Sequence, residues 1–364
     1  MADRYEEFRQ LARALRVDAV ALVPGPNFTR LLRKTFYTNE RPLVVVIPRN
    51  GAPAAIVPNL ELRSFDLIGF EGAVFDWYDQ KGYQDAFTAL AGHLPIESVA
   101  VEGQVMRVFV HHAFIEANPK LRIVDAERAI SALRLRKTGE EIAALEQAIR
   151  ISEKALADVL ARVKVGQTEK EVEAMLTLAL FSHGAEEHAF APIVAAGDNS
   201  ARPHASARKD YRIKPGDALL FDFGARWDGF AADITRTVFV GHASTEAQQV
   251  YQIVHDANQV GREIARPGMS AHDVDDAVIS VLEASPFADR IRSKTGHGLG
   301  REVHEAPYIM RGNHQKLEAG MVFTDEPGLY RIGGFGVRIE DDVLVTETGC
   351  RSLTTFTREL TVVG

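Results

Sequence analysis

The stretch LLFDFGARWDGFAADITRT, from Leu219 to Thr237, constrains the fold of this chain more than any other. An apolar run reaches Asp222, turns at Asp228-Gly229 and returns through Ala231 and Ala232 to Asp233. Alternation around an Asp-Gly pair reads as a β-hairpin with a two-residue turn. With Asp228 and Gly229 as the loop, Trp227 pairs with Phe230, Gly224 faces Asp233, and Asp222 faces Thr235. Side chains alternate with period two, so Asp222 and Gly224 share one side of their strand. Asp222 and Asp233 then project from one face as diagonal neighbours, roughly 7–8 Å apart at most. Gly224 leaves room beside Asp233. Two carboxylates aimed into one space repel each other unless something cationic lies between them, a metal ion or an arginine.

At 364 residues the chain has room for two or three domains, and 46% hydrophobic residues support a large core. The net charge of −8 argues against a general binder of nucleic acid or of anionic membranes. Cys350 is the only cysteine, which excludes an internal disulfide and points to a reducing compartment. The start, MADRYEEFRQ, has no apolar signal region, and no long uncharged apolar stretch follows. A soluble, cytoplasmic protein is expected.

Along the chain, residues 4–17 read as an amphipathic helix. Short β-like runs follow at 19–23, 43–47 and 54–57, with Asn50-Gly51 a turn between the last two. Weaker helix and strand signals alternate to Val124. These features predict an α/β domain over residues 1–131, without a catalytic cluster. The pair His111-His112 reads as structural or surface residues, because neighbours on a strand point to opposite sides. An Arg-rich join precedes a second domain, 132–364. Thr138 with Glu141, and Thr168 with Glu171, form capping boxes that open two helices. The pattern returns about a hundred residues later: G-x-[ST]-x-x-[ED]-V occurs at 166–172 and again at 268–274. Each helix pair precedes a hairpin-like segment carrying two acids, Asp222 and Asp233 in the first, Glu326 and Glu340 in the second. The pattern predicts an internal duplication: two αα-ββ halves facing each other, with both hairpins in one curved antiparallel sheet.

Between the second helix pair and the second hairpin lies TGHGLGREVHEAP, which sets His297 in a Gly-rich stretch with His304 following. The candidate ligands are Asp222, Asp233, His297, Glu326 and Glu340. Four carboxylates and one imidazole are too acidic for a typical structural zinc site. They suit two divalent ions, Mn²⁺ first, with Co²⁺ or Zn²⁺ also compatible. Such a pair holds a bridging water, lowers its pKa towards about 7 and polarises a carbonyl. In the run Glu340-Asp341-Asp342, alternation puts Asp341 on the opposite face and leaves Asp342 as an alternative ligand.

PIVAAGDNSARPH, DFGARWDGFAADITRT, TGHGLGREVHEAP, VFTDEPGLY and GVRIEDDVLV, in this order, resemble the pita-bread metallopeptidases, the creatinase/aminopeptidase P/prolidase family. The resemblance spans nearly the whole chain. It implies a creatinase-like N-terminal domain, a pita-bread catalytic domain, a dinuclear site formed by those five ligands, and hydrolysis of short peptides at Xaa-Pro bonds. Residue by residue, it implies that His204 and His304 contact substrate or stabilise the tetrahedral species. Glu326 would also accept the water's proton, and Arg338 would steady an aspartate ligand. Arg311 would bind a dipeptide's free carboxylate, with Arg202 or Arg331 as alternatives. The family typically has an apolar residue where Asp325 stands, and alternation points Asp325 away from the metals, to be solvated or paired with a cation. The implied activity is Xaa-Pro dipeptidase, with Xaa-Pro aminopeptidase, a metal-free creatinase-type hydrolase and a non-catalytic pita-bread peptide-binding module as alternatives. A homodimer is implied as well.

Overall fold

A computed structural model describes residues 3–37 and 39–364. It separates into two compact units, one ending at Arg134 and one beginning at Leu135. The division falls within the Arg-rich join, slightly later than the 131/132 boundary expected from the sequence.

The first unit is built on a mixed six-stranded sheet, in the order Ala73–Trp77, Ala54–Pro58, Val44–Pro48, Ala19–Leu22, Ser98–Val101, Arg122–Asp125. Its central strands are continuous apolar runs because both faces are covered. Helix Glu6–Leu15 packs Phe8 and Ala12 into one core, and helices Gln84–His93 and Val108–Ala117 cover the other face. His111 and His112 lie on helix Val108–Ala117, not on a strand. A short apolar run does not distinguish the two by periodicity.

In the second unit the duplicated signals become duplicated structure. Helices Gly139–Leu160 and Glu169–Ser182 precede the first hairpin; helices Thr245–Ile264 and Ala271–Glu283 precede the second. Capping boxes at Thr138/Glu141, Thr168/Glu171 and Ser270/Asp273 are complete, each side chain bonding the other residue's backbone N–H. In the first hairpin, Asp228 and Gly229 have φ of +48° and +74°, the left-handed pair a tight hairpin turn requires. Trp227 pairs with Phe230 and Asp222 with Thr235. Gly224 is explained differently from the expectation. A Cβ there would lie 1.7 Å from the Ala232 carbonyl oxygen, so the glycine permits close backbone approach instead of making room for a carboxylate.

The second hairpin pairs Val322 with Leu344 and Asp325 with Asp341, then Gly328 with Arg338. One register runs through both segments, which sets Glu326 opposite Glu340. The single curved sheet expected from the sequence is divided: its two main sheets have four and five strands, and the hairpin ends, within 225–231 and 328–338, lie in separate sheets of three and two strands. Regular pairing breaks at Gly224 and at Pro327, which has no N–H to give the ladder. The two sheets meet where Glu340 N–H donates to Thr235 O at 3.0 Å. Among the described residues no helix is long and apolar enough to cross a membrane.

Candidate metal centre and active site

The two hairpins aim their acids at one point. Asp222 is the penultimate residue of strand Ala218–Phe223, Asp233 precedes strand Ile234–Val240, and Glu326 and Glu340 flank the break in the second hairpin. His297 enters from the short strand Gly296–Gly298, held between strands Val322–Asp325 and Glu305–Ile309. Its flanking glycines are required by that position. A Cβ at Gly296 would lie 1.8 Å from Thr324 O, and one at Gly298 would lie 2.2 Å from Ala306 O. Ligand atoms of Asp222, Asp233 and Glu340 lie within 4.8 Å of one another, as do those of His297, Glu326 and Glu340, and those of Asp233, His297 and His304. His297 Nε2 stands 3.3 Å from Glu326 Oε1 and 3.7 Å from Asp233 Oδ2. Its Nδ1 lies 3.1 Å from the Gly298 carbonyl, which leaves Nε2 to face the acids. All five line one pocket of about 300 Å³ with His204, His304, Lys294, Arg338 and Tyr330.

The electrostatics show what this cluster needs. Asp222, Asp233, His297 and Glu340 are each 8% exposed or less. Burial raises the Asp233 carboxyl well above its usual range, and the charges of Glu340 and Asp222 add to the effect. Burial likewise drives Glu340 up, helped by Glu326 and Asp222. Burial lifts Glu326 to about 7, and Asp222 pushes the same way. Asp222 is raised by burial despite its ion pair with Arg338. His297 is held down to about 3, first by burial and then by His304, so its ring is neutral and free to ligate. Four buried acids with one guanidinium cannot all ionise. Divalent cations fit this donor set, supplying the missing positive charge to hard oxygen ligands and one imidazole.

Polar groups behind the candidate ligands fix their orientation. Arg338 donates to Asp222 Oδ2 at 2.5 Å, to Thr235 Oγ1 at 2.9 Å and to the Tyr330 hydroxyl at 2.9 Å. Thr235 Oγ1 in turn donates to Glu340 Oε2 at 2.5 Å. Thr324 Oγ1 accepts from His297 N at 3.1 Å and donates to Glu326 Oε1 at 3.3 Å. Thr324 and Tyr330 do not figure in the sequence reading, and Thr235 figures there only as the cross-strand partner of Asp222. The signal was present for the threonines: each is two residues from an acid ligand and so shares its strand face. His204 and His304 sit exposed at the pocket edge, and the His304 ring lies 3.9 Å from that of His297. His204 rides on a loop anchored by Arg208, which bonds the fully buried Glu169.

Arg311 is not brought to the pocket. Its guanidinium is engaged by Asp276 and Glu283 of helix Ala271–Glu283, at 2.9 and 2.6 Å. The loop preceding the second hairpin packs on that helix, a tertiary contact no local pattern announces. Arg331 is likewise paired with Glu246, and Arg202 does not line the pocket. Asp342 turns behind Asp233, accepting its backbone N–H at 3.2 Å, and is absent from the converging set. Asp341 faces the other side, as alternation requires, and is paired with Arg236 and Arg358. Asp325 is neither solvated nor hydrogen-bonded. It is fully buried with both oxygens unpartnered, and burial, then Asp341, raises its pKa well above the usual range.

With this geometry in hand, the comparison with known proteins is decisive. Residues 143–347 match the model of metallopeptidase family M24, and residues 4–136 match that of the creatinase/prolidase N-terminal domain. The chain belongs to the M24 metallopeptidase family. It is 37% identical to the Xaa-Pro dipeptidase of Pyrococcus furiosus over 72% of this chain and 75% of that protein. The crystal structure of a recombinant prolidase from Thermococcus sibiricus superposes with a TM-score of 0.93 at 33% identity, covering 99% of this chain and 98% of that one. An X-Pro aminopeptidase from Thermotoga maritima superposes at 0.86 and 30% identity, covering 99% of this chain and 100% of that one. As an M24 enzyme the chain is a metallopeptidase, with the two-domain α/β fold of the prolidase structures.

Proposed function

We propose that this metallopeptidase hydrolyses the Xaa-Pro bond of short peptides, as an Xaa-Pro dipeptidase, with two divalent cations, Mn²⁺ foremost. The observation that carries this reading is the convergence of Asp222, Asp233, His297, Glu326 and Glu340 in one pocket edged by His204 and His304. These five residues would hold the cations. When bound, the cations polarise the scissile carbonyl and supply a water that loses its proton near neutral pH. Glu326 would take that proton and return it to the prolyl nitrogen. His204 and His304 donate to the charge that develops on the carbonyl oxygen. Arg338 and Thr235 keep Asp222 and Glu340 turned inward. A proline amide has no N–H and a constrained backbone, so a dedicated pocket is needed to cleave it. The single cysteine favours a cytoplasmic setting, and the family resemblance favours a homodimer.

Elemental analysis after metal-replete purification tests the site: about two ions per chain are expected, and none would favour a non-catalytic peptide-binding module. Asp222→Asn should lose metal and turnover together, and a variant of normal activity refutes the assignment. The likeness to the Thermotoga maritima enzyme supports aminopeptidase activity as the second reading. Hydrolysis of a dipeptide Xaa-Pro in preference to a tripeptide Xaa-Pro-Yaa supports the dipeptidase; the reverse preference supports the aminopeptidase.

A further inference from the structure

The pocket wall carries two basic side chains, Arg338 and Lys294, and they differ in what they do. Arg338 is spent on Asp222, Thr235 and Tyr330. Lys294 lies in the segment leading into His297, half-buried, with no hydrogen-bond or ion-pair partner among the described residues. It lines the same pocket as His297, His304 and Glu326. A partly desolvated ammonium with no partner is unfavourable until an anion enters beside it. The arginines that the sequence offered for an anion are held elsewhere or lie off the pocket: Arg311 by Asp276 and Glu283, Arg331 by Glu246, Arg202 outside the lining.

The substrate supplies a matching charge. In an Xaa-Pro dipeptide the carboxylate is borne by the carbon next to the prolyl nitrogen, a few bonds from the carbonyl under attack. Its receptor must therefore stand beside the metal ligands, within reach of a flexible side chain. We propose that Lys294 binds the free carboxylate of the substrate's C-terminal residue and so sets a preference for dipeptides over longer peptides. The assignment rests on the peptidase reading of the same pocket and adds the group that recognises the chain end. In a tripeptide that carboxylate becomes a neutral amide, and Lys294 stays unpaired in the complex. Discrimination by loss of a charged partner is stronger than discrimination by size.

The test uses the full-length, manganese-loaded protein with Lys294→Met and Lys294→Arg. Substrates are Ala-Pro and its C-terminal amide; probes are N-acetyl-L-proline and N-acetyl-L-prolinamide, which differ in the carboxylate alone. For Ala-Pro, Lys294→Met should raise KM about tenfold or more with a much smaller change in kcat. The ratio of kcat/KM for Ala-Pro to that for its amide should collapse, and Lys294→Arg should largely retain it. By calorimetry, wild type should bind N-acetylproline more tightly than the amide, and Lys294→Met should bind both alike. Hydrolysis with the acid-to-amide ratio unchanged in Lys294→Met overturns the lysine assignment alone. Failure of the metal-loaded wild type to cleave any Xaa-Pro bond overturns the Xaa-Pro reading; the calorimetric comparison then decides the lysine's role by itself.

Discussion

Thr235 and Arg338 decide how the carboxylates of the site face one another. Arg338 pairs with Asp222 and donates to Thr235, whose hydroxyl is thereby free to donate to Glu340. One guanidinium orients an acid from each hairpin. Replacing it with an apolar residue of similar length, Arg338→Met, leaves Asp222 buried and unpaired. We expect metal affinity to fall about 10- to 100-fold, read by calorimetric titration; an unchanged affinity would remove Arg338 from the site. The acids also make a prediction about pH. In metal-free protein Glu326 keeps its proton to about 7, whereas the unfolded chain releases it near 4.5. Its contribution to stability is fully present below the unfolded value and is lost as pH rises through the folded one. Asp222, Asp233 and Glu340 shift in the same direction. His297, lowered to about 3, acts oppositely, but only below its ordinary value of 6.5. Above 6.5 the carboxylates set the slope. In chelator, Tm should fall as pH rises from 6.5 to about 8, and Mn²⁺ should abolish that fall. A flat profile in chelator would contradict the buried-acid account.

At the scale of elements, the hairpins are long ladders broken once each, and the breaks are where the chemistry sits. The first hairpin breaks at Gly224, where the backbone of Ala232 comes too close for any side chain. Gly224→Ala must push the returning strand aside and move Asp233 with it. Such overpacking costs about 1–3 kcal/mol. We expect a lower Tm together with weakened metal retention, whereas an alanine at the exposed Gly51, which meets nothing within 4 Å, tests only its left-handed φ of +94°. If Gly224→Ala melts and binds metal like wild type, close approach is not what the glycine is for.

At the scale of the catalytic unit, the buried face behind Glu340 is closed by the C-terminal segment. Arg236 is 2% exposed and donates to Glu340 O, Asp341 Oδ1, Phe356 O and Thr357 O. Arg358 adds a second cation on Asp341, and Val362–Val363 extends the four-stranded sheet in parallel with Phe239 and Val240. Deleting residues 355–364 strips Arg236 of two acceptors and Asp341 of one partner, leaving buried charge undercompensated. We expect the truncated protein to lose several degrees of Tm and to bind metal more weakly, measured by thermal melts with and without Mn²⁺. A truncated chain indistinguishable from wild type would show that the hairpins hold their register without this clamp.

The residues themselves determined what local periodicity and turn chemistry can carry. The Asp228-Gly229 turn sets the register that puts Asp222 opposite Thr235, and the capping boxes mark where three of the helices begin. The acids, His297 and their order along the chain are equally legible, because a two-residue period assigns each a strand face. Tertiary structure decided the rest. Whether two hairpins share one sheet or meet at a single bridge depends on strand pairing across a hundred residues, which no local pattern encodes. Arg311 and Lys294 show the same limit from opposite sides. Both are cations in irregular segments; packing gave Arg311 the carboxylates of a neighbouring helix and left Lys294 at the pocket wall without one. A charge takes its role from its partners, and partners distant in sequence are chosen only when the chain has folded.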